Sequence, residues 1–105
     1  MRPDRDRVRL LHMLEHARET IRLVEGRTRA DLNTERVLSL ALVRLLEIVG
    51  EAAAKVSEEA RTRYPAVPWP EIVGLRNRLI HGYDSSDLPA LVNELSADAD
   101  LRSSH

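Results

Sequence analysis

An all-α fold, an antiparallel bundle of four to five helices, is what three features of this sequence predict. Ala, Glu, Lys, Leu and Arg supply 53 of the 105 residues, a composition typical of helix-rich chains. Apolar residues recur at steps of three and four over long stretches. Pro3, Gly26, Pro70, Gly82 and Pro89 stand where those stretches begin or end. The length corresponds to one domain, residues 1–105, large enough to build a core without disulfide or metal support.

The first helix is predicted over about Pro3 to Glu25. Leu10, Leu14, Ala17, Ile21 and Val24 form one apolar stripe, Pro3 suits the first turn and Gly26 the stop. A polar connection follows, with a short helical turn around Ala30 to Leu32. From about Thr34 to Ser57 the chain is almost continuously apolar, interrupted by Arg44, Glu47, Glu51 and Lys55 at steps of three and four, with Glu58 continuing the pattern. A single charged stripe on an otherwise apolar helix marks the central helix of a bundle or of a dimer interface.

Residues 64–70, with three of the five prolines, read as a rigid loop because each proline fixes φ and restricts the residue before it. Pro70 opens a helix running to about His81, with Ile72, Val73, Leu75, Leu79 and Ile80 as its apolar positions. Asp84, Ser85 or Ser86 caps a last helix that carries Pro89 in its first turn and turns Leu88, Leu91, Val92 and Leu95 inward. Residues 96–105 are polar and read as a frayed tail.

The net charge of -1 is a sum of opposed blocks: +3 over residues 1–29, -3 over 30–60, +3 over 61–83 and -4 over 84–105. Contact with a nucleic acid would therefore be local, confined to the arginine-bearing segments. The absence of cysteine excludes thiol catalysis, thiolate metal sites and a disulfide framework. No apolar run approaches the roughly 18 residues of a membrane span, and a cytoplasmic location is expected. His12, His16 and Glu19 share a helical face at ligand-like spacing, but no fourth ligand accompanies them and they read as exposed side chains. No metal or cofactor is expected.

The chemistry concentrates in Gly74 to Tyr83, where Arg76, Asn77, Arg78, His81 and Tyr83 crowd the end of a helix. Histidine exchanges protons near neutral pH, and arginine is a permanent cation whose fork matches phosphate oxygens. At about 100° per residue Arg76 and His81 lie about 140° apart around the helix, while Asn77 and His81 share a face. A long arginine closes part of that gap, and a symmetric dimer closes more by apposing two helix ends. Spacing alone favours the plainer reading, a histidine satisfied at a helix C-terminus with arginine on the solvent face.

Several runs together carry a resemblance. Arg76 to Tyr83 has the form Arg-x4-His-x-Tyr; Leu45 to Ala53 contains a Gly-Glu-Ala step; Tyr64-Pro65 through Pro68-Trp69 forms a Pro-Trp loop; and His12-Met13-Leu14 lies in the first helix. In this order they resemble the HepT-like toxins of the HEPN superfamily, small all-α ribonuclease domains, over about residues 4 to 95. The resemblance implies a dimeric, metal-independent endoribonuclease that cleaves RNA. It also implies a minimal nucleotidyltransferase antitoxin encoded alongside. Carried over by position, Arg76 and His81 are the catalytic pair, Asn77 shapes the site, and Tyr83 receives AMP from the antitoxin; Arg78, within the motif, and Glu51, on the charged stripe that would line the cleft, are expected to shape the site as well. The sequence departs from the family pattern at Asp84, where an aromatic residue is usual, and in its shorter, more acidic C-terminal segment. Those departures keep open an alternative: a catalytically weak helical module that binds nucleotide or protein and regulates a partner nucleotidyltransferase.

Overall fold

The computed structural model describes residues 3–75, 87–98 and 101. Among them are six α-helices and no strand: α1 (Pro3–Val24), α2 (Arg29–Thr34), α3 (Arg36–Lys55), α4 (Glu58–Thr62), α5 (Trp69–Val73) and α6 (Asp87–Ser96). The predicted all-α bundle is what forms, with more and shorter helices than the sequence announced. Helices α1 and α3 are its two long members and make its main packing interface; α6 lies against α1, and α5 against α3.

Helix α1 starts at Pro3 and stops before Gly26, whose φ of 75° is the left-handed conformation that ends the helix. The short turn expected near Ala30 is α2. It forms because Thr28 and Asp31 build a capping box: the Thr28 hydroxyl accepts from the Asp31 N–H at 3.1 Å, and the Asp31 carboxylate accepts from the Thr28 N–H at 3.0 Å. Glu35, in extended conformation, separates α2 from α3.

Helices α1 and α3 run antiparallel. Arg9, near the start of α1, donates from Nη1 to the carbonyl of Lys55, the last residue of α3, at 3.0 Å. Leu10, Met13, Leu14 and Ala17 of α1 share the core with Leu42, Leu46, Val49 and Ala53 of α3. The charged stripe of α3 is exposed at Arg44, Glu51 and Lys55, and it continues toward the helix start through Val37 and Leu40, also exposed. Among the described residues no element covers this face of α3 at Val37 and Leu40.

Helix α4 lay outside the sequence reading. It exists because Ser57 caps it, its hydroxyl accepting from the Ala60 N–H at 3.1 Å. The proline-rich loop is tied at both ends: the Val67 N–H donates to Tyr64 O at 3.1 Å and the Trp69 indole N–H to the same carbonyl at 3.2 Å. The frayed tail expected from Ser96 onward is corrected where residues are described. The Tyr64 hydroxyl donates to the Asp98 carboxylate, and Leu101 is 4% exposed within the core. An aromatic hydroxyl 34 residues away supplies an anchor that local polarity does not reveal.

Candidate functional site: the flanks of residues 76–86

The approach of α5 to α3 sets where the motif-bearing segment begins. Gly50 is buried on α3, and a Cβ there would stand 3.2 Å from the Val73 carbonyl oxygen and 3.4 Å from that of Ile72. Only a residue without a side chain allows that backbone to come so near without displacement. The Gly-Glu-Ala step thus has a packing reason: its glycine seats the end of α5. Glu51, next in the chain, is exposed on α3.

Helix α5 begins at Trp69 with Pro70 in its first turn and ends at Val73, capped by Gly74. The sequence places this helix correctly but extends it to His81; residues beyond Leu75 lie outside the described part. Arg76, Asn77, Arg78, His81, Tyr83 and Asp84 all fall in that interval, so of the expected site residues Glu51 alone has a described position.

The leucines on either side of the interval are buried. Leu75 is 2% exposed and Leu88 is fully buried, both in the one hydrophobic core. Leu91 and Leu95 continue the buried edge of α6, and Arg18 of α1 donates to the Ser96 hydroxyl at 2.8 Å, holding the far end of that helix. The segment therefore enters from α5 and rejoins at α6, and those two helices pack on each other. At the start of α5 Trp69 is buried, with the Arg61 guanidinium 5.5 Å from its ring centre.

Just past the C-terminal end of α3, Asp6 of α1 is buried and accepts from the Ser57 N–H at 3.0 Å and the Ser57 hydroxyl at 2.7 Å. Burial pushes its carboxyl up, but those two bonds, with Arg9 and Arg63 nearby, outweigh burial and hold it below the ordinary carboxylate value. Asp6 is charged and structural. No sequence pattern marked it, because its partner is 51 residues distant.

His12 is exposed, and His16 Nδ1 donates to the His12 carbonyl at 2.7 Å. That bond commits one ring nitrogen of His16. Among the described residues no cluster of three or more His, Cys, Asp or Glu side chains is placed to hold a metal, and no helix is long and apolar enough to cross a membrane.

A small helical bundle, held on one core at both flanks of an Arg- and His-bearing segment, is the class of domain that the sequence and fold define. The family model described as "Ribonuclease HepT-like" matches residues 13–101, a stretch that contains Glu51 and all of Arg76 to Tyr83. The chain belongs to this HepT-like ribonuclease family. A protein named "Putative RNase" from Caldanaerobacter subterraneus subsp. tengcongensis is 42% identical over 74 residues, covering 70% of this chain and 66% of that protein. Another so named, from Methanocaldococcus jannaschii, is 37% identical over 78 residues, covering 74% and 72%. One from Thermococcus cleftensis named "Probable ribonuclease HepT" is 33% identical over 89 residues, covering 81% of each. The chain thus spans about two thirds of the length of the first and four fifths of the last. No solved structure matches it significantly.

Proposed function

We propose that this chain is the RNA-cleaving toxin of a two-component toxin–antitoxin system, working in the cytoplasm as a homodimer of single-domain subunits. The observation that carries the reading is the family match across residues 13–101, which spans the whole Arg76 to Tyr83 motif. The exposed apolar positions Val37 and Leu40 on α3 support a subunit interface.

RNA brings its own nucleophile. His81 removes the proton of a ribose 2′-OH, the 2′-oxygen attacks the adjacent phosphorus, and the bond from phosphorus to the 5′-oxygen breaks, that oxygen taking up a proton. The products are a 2′,3′-cyclic phosphate and a 5′-hydroxyl end. Arg76 offsets the charge that builds on the phosphate oxygens. Asn77, Arg78 and Glu51 shape the cleft around this pair. The reaction needs no metal or cofactor, since neither a nucleophile nor an electron carrier has to be supplied.

Neutralisation acts at Tyr83. The partner nucleotidyltransferase joins the tyrosine oxygen to the α-phosphorus of ATP, releasing pyrophosphate. Bulk and negative charge two residues from His81 then exclude RNA by sterics and by repulsion.

The test is the chemistry of the cut ends. Purified chain incubated with RNA in EDTA is expected to yield cyclic phosphate and 5′-hydroxyl ends. Cleavage that stops in EDTA, or that leaves 3′-hydroxyl and 5′-phosphate ends, overturns the mechanism.

A further inference from the structure

On the side of the bundle where α1 ends, α1 and α3 enclose an open groove of about 500 Å³, lined by Glu19, Arg22, Leu23, Arg27, Ala41, Arg44 and Leu45. That volume lies in the range of ligand sites, roughly 300–1,000 Å³. Its lining joins three arginines and one carboxylate to an apolar floor of Leu23, Ala41 and Leu45. All three arginines are exposed, in a chain whose net charge is -1. Arg27 is oriented by its Nε, which donates to the Leu23 carbonyl at 2.8 Å, using one of the five N–H donors of the guanidinium. Arg44, itself exposed, meets the half-buried Glu47 at 3.7 Å, a contact long enough to leave the guanidinium open to another anion.

We infer that this groove is a binding track for the phosphate backbone of single-stranded RNA, in which Arg22, Arg27 and Arg44 take phosphates and the apolar floor carries sugar and base. The inference rests on the ribonuclease reading and adds a second point of contact to it. Arg44 lies one turn from Leu40, so a subunit interface over Val37 and Leu40 ends at the near edge of the groove, and a second copy seated in the groove itself is the poorer occupant. A two-fold interface centred here would set each arginine rim against its own image, and like charges facing each other oppose association.

The test compares wild type with Arg22→Ala/Arg44→Ala, both exposed positions whose loss leaves the core intact; Arg27 is kept because it satisfies a carbonyl near the α1 terminus. A fluorescent single-stranded RNA oligonucleotide is titrated at 50 and 200 mM salt, cleavage kinetics are recorded, and sedimentation gives the oligomeric state. Each phosphate contact on a single strand contributes about 0.7 to the salt slope, so losing two lowers it by about 1.4 and makes wild type lose about sevenfold more affinity than the variant across that salt range. The groove grips RNA away from the reacting bond, so KM is expected to rise with kcat unchanged. His81→Ala is expected to keep wild-type RNA binding and its salt slope. Unchanged affinity and salt slope in the double variant overturn the groove assignment, and the same result with altered sedimentation gives the groove to a second copy instead. Wild type that binds RNA through the groove yet cleaves none overturns the ribonuclease reading and leaves the groove standing.

Discussion

Gly50 of α3 faces Val73 of α5 so closely that a Cβ on Gly50 would lie 3.2 Å from the Val73 carbonyl oxygen. The obstacle is backbone, and α5 has little room to retreat: Ile72 is fully buried, and the Gly74 N–H is bonded to Pro70 O at 3.1 Å. In Gly50→Ala the better helix propensity, about 1 kcal/mol, works against the displacement of α5, so stability is expected to stay within about 1 kcal/mol of wild type. Activity is the more sensitive readout, because a shift of a few tenths of an ångström at the base of the motif segment misaligns it. RNA cleavage is expected to fall about tenfold. Thermal unfolding measured beside initial cleavage rates checks both halves.

A second expectation concerns acid. The folded-state pKa of Asp6 lies below 3.8, its ordinary value, so its contribution to stability is complete above that value and is lost as pH falls through the lower folded-state pKa. Asp6→Ala also leaves the Ser57 N–H without its acceptor, at a cost of roughly 3 kcal/mol at neutral pH. Urea unfolding at pH 7 and near pH 3 is expected to show a large gap between wild type and variant at neutral pH that narrows in acid. A gap independent of pH contradicts the charged state assigned to Asp6.

The third expectation follows from neutralisation at Tyr83. Incubated with the adjacent nucleotidyltransferase and ATP, wild type is expected to gain the mass of AMP and to lose cleavage. Tyr83→Phe is expected to remain unmodified and active. Intact-mass spectrometry decides, and equal labelling of the phenylalanine variant rules out Tyr83 as the acceptor.

Much of the fold was legible because it is written in local periodicity. The stripe of Leu10, Leu14 and Ala17, the stop at Gly26 and the start at Pro70 each depend on neighbours within one or two turns. What the sequence did not disclose depends on distant partners. Ser57 is an ordinary serine until Asp6 closes on it, and Tyr64, legible as part of the Pro-Trp loop, carried no separate signal as an anchor because the carboxylate it bonds, Asp98, sits in a tail that looked polar and loose. Helix α4 was missed for a related reason: with five residues it is too short to show a period, and it rests on one capping hydroxyl. At the site, Gly50 and Glu51 were legible as part of a motif, but the reason for the glycine emerged once α5 was seen against it.

The central claim is that His81 moves the proton in RNA cleavage, and the most direct measurement is the single-turnover cleavage rate of His81→Ala beside wild type, in EDTA, with circular dichroism and sedimentation as controls. General acid–base catalysis contributes about 10² to 10⁴ in rate, so cleavage is expected to fall at least about 100-fold while fold and oligomeric state are unchanged. Cleavage by His81→Ala at the wild-type rate, from a variant equally folded, would contradict the account.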